Sequence, residues 1–322
     1  MRLKSWRWLA VALAGAMLSV AACSGGDSDD SGGGTIAFSQ PFTNSPTRTA
    51  IVGFSADRAE ELGYELLLDE ANADGARQAA AIETWIVSEV DAIAVFTVPG
   101  GDTTALAAEA LDKGIHWVNY GAPSDPQTSS VTFQNADGAR RLAEAAAEWI
   151  NERGGTAKVA ILTFDPSPLA VERSDLYKSI LAEMAPGAEI VAEQDGGVSI
   201  EGGLMATETI LQQHPDLNVV LGILDDQTIG AHQAFTNAGM PSDSPDVFLG
   251  GMDSPEQALA LVKECGMYRA TAALDLAALG HAVVDALVAA IDGSPADASL
   301  PYEIVRCGDD EALDRLLGQY AS

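Results

Sequence analysis

The sequence predicts an α/β protein whose strands form doubly wound parallel sheets in two lobes. Three observations carry this. Short β-rich runs, several apolar on both faces, recur along the body, as buried parallel strands do. Amphipathic stretches with helical spacing separate them. Roughly 290 residues follow the opening segment, more than a single core of ordinary size takes.

The chain opens with Arg2, Lys4 and Arg7, an apolar stretch from Trp8 to Leu18, and then Val20-Ala21-Ala22-Cys23. Small residues before a cysteine resemble the bacterial lipobox, so residues 1–22 are expected to be an export signal and Cys23 the lipidated first residue. A plain signal peptide and an uncleaved anchor are the alternatives. Residues 23–34, with "SGGDSDDSGGG" from Ser24, have nothing to bury and are expected to form a flexible tether. Its aspartates lack the spacing and closing glutamate of an EF-hand.

The whole chain carries 17 Lys and Arg against 47 Asp and Glu, a net charge of −30. Nucleic acid is therefore a poor partner, and surface solvation accounts for most of the acid. No second apolar run approaches a membrane span.

Along the body the strand candidates are "TIAFSQ" (Thr35–Gln40), "YELLLD" (Tyr64–Asp69), "DAIAVFT" (Asp91–Thr97), "IHWVNY" (Ile115–Tyr120), "AKVAILT" (Ala157–Thr163), "NVVLGIL" (Asn218–Leu224) and "DVFLGG" (Asp246–Gly251). Between them, Ala139 to Glu152 places Leu142, Ala146, Trp149 and Ile150 on one helix face, and Gly154-Gly155 ends the pattern. Repeated βα units give parallel sheets, which bind ligands in the loops after their strands. "SQPFTNSPTRTA" (Ser39–Ala50) is such a loop, with five hydroxyl side chains, one arginine, and Pro46 near a helix start. Its hydroxyls suit a small polar ligand, or some of them cap the helix.

Catalytic signatures are missing from the sequence. His116, His214, His232 and His281 have no metal spacing, there is no G-x-S-x-G elbow, and "VPGGDTTAL" lacks the lysine of a P-loop. Asp225, Asp226 and Asp253 follow apolar strands, where they could cap helices, bind ligand or act as acids and bases. No enzyme, metal or cofactor is expected.

From Thr35 to about Arg306 the chain resembles the type I, ribose-binding-like sugar-binding proteins of ABC importers. "LGYELLLDEANAD" (Leu62–Asp74), "HPDLNVVLGILDDQTIGAHQAFTNAG" (His214–Gly239) and "GGMDSPEQALALV" (Gly250–Val262) carry the likeness. "FSQ" with Ser45, Arg48, Thr49 and Ala50 is similar to the galactofuranose-binding branch. The resemblance implies two lobes joined by a multi-stranded hinge: residues 35–134 plus 275–301, and residues 135–274 plus 302–322. It implies a monomeric extracytoplasmic protein, lipid-anchored to the membrane, that closes on a sugar or polyol and docks on a permease. Presentation of ligand to a membrane sensor is the alternative.

By the same resemblance Arg173, in "AVERSDLY", forks onto sugar hydroxyls and Asp253 accepts from them, a structural ion pair or a helix cap being the alternative role of the two. Arg173→Ala is then expected to weaken binding by about 2 kcal/mol or more and leave the fold intact. Gln40, at the end of the first strand, Ser45 and Arg48 are expected to hold ligand from the first lobe. Thr47 stands where the family has a stacking aromatic, Gly121 where it has the first of an Asp-Arg pair, Leu224 where it has asparagine and Leu274 where it has glutamine. Hydroxyls unpaired against Leu224 and Leu274 would each cost about 1 to 3 kcal/mol, which favours a polyol or a modified or acidic sugar over an ordinary pyranose. Phe42, Tyr120 and Phe164 are candidates for the stacking surface, or are core. Cys265 and Cys307 remain once Cys23 is assigned. Export favours a disulfide between them, and their placement by resemblance in one lobe supports it, two buried thiols being the alternative.

Overall fold

Apolar runs along the chain mark most of the strands that end up inside the two sheets. A computed structural model describes residues 33–41 and 46–320. Cys23, the export signal, most of the tether, Phe42 and Ser45 lie outside the described residues.

In chain order the first elements are β1 (Thr35–Gln40), α1 (Pro46–Glu61), β2 (Glu65–Glu70), α2 (Gly75–Val87), β3 (Ala92–Val95), α3 (Thr104–Asp112), β4 (His116–Gly121) and β5 (Ser129–Phe133). There follow α4 (Asn135–Glu152), β6 (Ala157–Thr163), α5 (Pro168–Met184), β7 (Ala188–Asp195), α6 (Ile200–Gln213), β8 (Val219–Gly222), α7 (Asp225–Asn237), β9 (Phe248–Met252) and α8 (Glu256–Lys263). The chain ends with β10 (Tyr268–Ala273), α9 (Leu276–Ile291), β11 (Ala298–Leu300), β12 (Glu303–Arg306) and α10 (Asp310–Gly318).

The strands form two six-stranded sheets, ordered β11-β5-β4-β3-β1-β2 and β12-β10-β9-β8-β6-β7. Their ladders are parallel except that of β12 on β10. This is the fold class that the alternating pattern predicts. β1, β3, β6, β8 and β9 are buried along nearly their whole length, as their apolar sequences require. The strands that apolar content did not single out are β5, β7, β10, β11 and β12. Their sequences, such as "SSVTF" and "YRATAA", are polar or alanine-rich, and β11 and β12 are short edges.

Local signals set the helix starts. Asp74 accepts from the Ala76 and Arg77 amides ahead of α2, Ser167 from Ala170 ahead of α5, and Asp275 from Ala278 ahead of α9. Pro168 opens α5, where its missing N–H costs nothing. In α4 the four residues placed on one face, Leu142, Ala146, Trp149 and Ile150, are all buried.

The chain passes between the sheets three times. β5 leads at Gln134 into α4, which packs on β9 and β10; β10 leads into α9, which packs on β3, β4 and β5; and β11 leads through Pro301-Tyr302 into β12. Cys265, after α8, is joined to Cys307, after β12, with their Cα atoms 4.9 Å apart. Both flanking elements pack with β10, so the bridge lies within the second sheet's layer.

Candidate functional site

A cavity of about 630 Å3 opens between the two sheets, where the strand ends and the crossings meet. The first sheet's layer contributes Thr47, Arg48, Phe96 and Tyr120; the second contributes Arg173, Leu224, Asp226 and Asp253; and Phe133, Leu274 and Tyr302 come from the crossings. That volume fits one small molecule.

Arg173 is the most constrained group in it. From α5 its side chain runs inward and is only 5 % exposed. Nε donates to Asn135 Oδ1 at 2.7 Å, and Nη1 donates to the Ile223 carbonyl at 2.7 Å and to Asp253 Oδ2 at 3.4 Å. Nη2 donates to Asp253 Oδ1 at 3.1 Å and to the Tyr302 hydroxyl at 2.6 Å. The Tyr302 hydroxyl in turn donates to Asp253 Oδ1 at 2.8 Å. All five guanidinium donors are therefore used inside the protein. Burial is the largest influence and opposes the charge, but Asp253, Tyr302 and Tyr177 together outweigh it, so the Arg173 pKa is raised. Its donors serve the protein's own buried acceptors, so removing Arg173 is expected to cost stability and not binding alone.

Asp253 owes its position to backbone strain. It has φ +88° and Ser254 has φ +50°, a region L-residues rarely occupy and that costs on the order of 1–3 kcal/mol to hold. Asp225 secures the turn by accepting from the Ser254 amide at 2.7 Å, the Thr271 hydroxyl at 2.6 Å and the Tyr268 hydroxyl at 2.6 Å. Gly138 of α4 leaves room for Tyr302, whose ring would lie 2.6 Å from a Cβ there.

On the opposite wall, Arg48 Nη1 donates to Gln40 Oε1 at 3.4 Å, and its guanidinium lies 5.0 Å from the Phe96 ring centroid. From Phe96 a run of edge-to-face rings continues through Tyr120 at 5.0 Å, Phe133 at 5.6 Å and Tyr302 at 6.5 Å, ending beside Arg173. One aromatic rail thus links the two arginines across the crossings. Thr47 shares a hydrogen bond with the Tyr320 hydroxyl, which donates to the Ser254 carbonyl, so Tyr320 bridges the layers next to Arg48 and Asp253.

Thr47, Arg48, Tyr120, Arg173, Leu224, Asp253 and Leu274 are thus brought to one cavity. Gln40 and Gly121 are not on its wall. Gln40 is 1 % exposed and supports Arg48 from behind, its Nε2 unpaired among the described residues. Gly121 has φ +98°, and a Cβ there would meet the Phe96 ring at 2.9 Å. Tyr120 is 2 % exposed and packs edge-to-face against Phe38, Phe96 and Phe133, whereas Phe164 is a half-buried wall residue. The sequence reading missed Phe96, Phe133, Asn135 and Tyr302 and left the role of Asp226 open. Phe96 had a usable signal, since it directly follows a buried strand.

Two carboxyls that line the cavity are held above their ordinary range. Asp226 is pushed up to about 6 from 3.8, by burial first and Asp253 second, against Arg48. Asp225 is pushed up to about 7 by burial, against the bonds from Thr271, Tyr268 and Ser254. A raised carboxyl pKa stabilises the protonated fold. Its contribution is full below 3.8 and is lost as pH rises through about 6 for Asp226 and about 7 for Asp225. The melting temperature is expected to rise on acidification from pH 8 to about 5, and Asp226→Asn to flatten part of that rise. A steady fall over this range in both proteins would contradict the assignment.

Residues 36–295 match the model of the periplasmic binding protein domain. The chain belongs to that family. Among its curated relatives is the ribose import binding protein of Bacillus subtilis (strain 168), 26 % identical over 71 % of this chain and 73 % of that one. Another is a putative rhizopine-binding protein of Rhizobium meliloti, 26 % identical over 76 % and 80 %. The match to an Escherichia coli (strain K12) ABC transporter periplasmic-binding protein, 25 % identical, spans 56 % of this chain and 58 % of that relative. Among solved structures, an ABC transporter solute binding protein of Bacillus halodurans C-125 with bound myo-inositol has a TM-score of 0.80 at 24 % identity, over 91 % of this chain and all of that one. These family members are binding proteins, not enzymes.

Proposed function

We propose that this chain is the extracytoplasmic solute-binding component of an ABC importer, and that it captures a small polyhydroxylated carbohydrate between two closing lobes. The observation that carries the reading is the cavity between the sheets, with Arg173, Asp253 and Tyr302 fixed on one side and Arg48 and Phe96 on the other. Polar groups at fixed positions orient hydroxyls, and the partly buried Phe96 and Phe133 on the cavity wall offer apolar surface to a ring's C–H groups. The lobes are residues 35–134 with 275–301 and residues 135–274 with 302–322. Ligand contacts to both walls favour the closed form by their difference in affinity for the two states. That the relatives include a ribose import binding protein and one described as a putative rhizopine-binding protein, and that one structural neighbour holds myo-inositol, supports a sugar or polyol.

A thermal-shift screen over pentoses, hexoses, furanoses and cyclitols tests this. A ligand at 100 times its Kd is expected to stabilise by about 2.7 kcal/mol, a rise of a few degrees. No shift from any member at millimolar concentration would reject carbohydrate capture.

Lipid anchoring at Cys23 belongs to the same proposal, supported by "SVAAC" after the apolar segment. Cys23→Ser is expected to move the protein from the membrane fraction to the soluble one. A processed mutant that still sediments with membranes would remove the anchor.

A further inference from the structure

Donors and acceptors around the cavity are unequally spent. Arg173 gives every guanidinium donor to the protein, and Arg48 is engaged with Gln40 and the face of Phe96. Asp225 is filled by Ser254, Thr271 and Tyr268. Asp253, whose side chain is 24 % exposed, accepts from Arg173 and Tyr302. Asp226, the next residue of α7, lines the same cavity and accepts no hydrogen bond from any described residue. Two arginines on the wall face four carboxylates, those of Glu201, Asp225, Asp226 and Asp253.

We propose that Asp226 is the selectivity residue of this site, which makes its ligand a neutral or amine-bearing polyol and excludes acidic sugars. The inference rests on the carbohydrate-binding reading above and narrows it.

An ionised carboxylate only accepts, through two oxygens with about four lone-pair positions. Vicinal hydroxyls or an ammonium fill those positions; a ligand carboxylate fills none and brings like charge beside Asp226 and Asp253. The cavity's low-dielectric lining, including Ile223, Leu224 and Met252, leaves such repulsion poorly screened. Burial and Asp253 already hold Asp226 toward its neutral form against the opposing charge of Arg48, and a further anion would act in the same direction as Asp253. On this proposal the acidic sugars, one of the ligand classes expected from the sequence, fall outside the site's range. An aspartate in the first turn of α7 also meets the positive end of that helix, a role that needs no ligand and has to be separated by experiment.

The test uses the mature full-length protein and seven probes: D-ribose, D-allose and myo-inositol as neutral compounds, D-glucosamine and an amino-inositol as amines, and D-glucuronate and D-ribonate as acids. Thermal shift identifies binders and calorimetry gives Kd. The wild type is expected to respond to a neutral or amine probe and to neither acid. Asp226→Asn is expected to weaken the best probe at least tenfold, with the unliganded melting temperature unchanged or raised. If Asp226→Asn does not fold, Asp226→Ser keeps a small polar side chain in the first turn, and the same tenfold loss is expected. An acid that binds more tightly than its neutral parent, or a best probe whose Kd moves less than twofold in the folded variant, overturns the inference and leaves carbohydrate capture standing. Silence from every probe, confirmed across the wider carbohydrate screen, overturns both.

Discussion

Arg173→Ala is expected to lower the unfolding free energy by about 3 to 5 kcal/mol, the range for removing one partner of a buried ion pair. The cost arises because the groups left behind cannot leave. Asp253 would keep only the Tyr302 hydroxyl, at a turn that holds it in left-handed backbone geometry. Asn135 Oδ1 and the Ile223 carbonyl would each lose the donor that lies 2.7 Å away. A shifted urea midpoint with an unchanged m-value is the expected signature. Adding Asp253→Asn should recover part of the loss, since it removes the stranded charge, and the double-mutant cycle measures the coupling. An Arg173→Ala protein with a wild-type midpoint would show that the network carries no stability.

Replacing Cys265 and Cys307 together by serine is expected to cost about 4 kcal/mol, from a sequence separation of 42 residues in the chain-entropy account. Both cysteines belong to the layer of the second sheet, so ligand affinity should change little. Denaturant titration of the double mutant beside the oxidised protein reads the first quantity, and calorimetry with a ligand from the screen reads the second. Equal midpoints would sink the stability claim. Unchanged stability with lost affinity would mean that the bridge acts on closure instead.

Much of the fold was legible because buried parallel strands announce themselves: "DAIAVFT" and "NVVLGIL" have few other places to go. The strands that escaped are those whose burial depends on neighbours. β10, with its alanines and threonines, is buried between β9 and β12, and β12 is a short antiparallel edge. The site divides in the same way. Residues at strand ends, such as Asp253 and Leu224, could be placed from the pattern and the family likeness. Tyr302 could not, because its hydroxyl reaches Asp253 across 49 residues and Arg173 across 129, through a crossing with no local signature. Nor could the sequence show that Arg173 is spent internally. That depends on where Asn135 and the Ile223 carbonyl stand in three dimensions.

The cystine also decides how the molecule would bear tension. Pulled from its two ends, the oxidised chain transmits force through Cys265 straight to Cys307, across a Cα separation of 4.9 Å. β10, α9, β11 and β12 lie on a closed branch outside the load path. The first sheet would then be stripped from around α9 while α9 itself carried no force. Reduction puts that branch in series and adds roughly 140 Å of contour length, at about 3.4 Å for each residue fully extended.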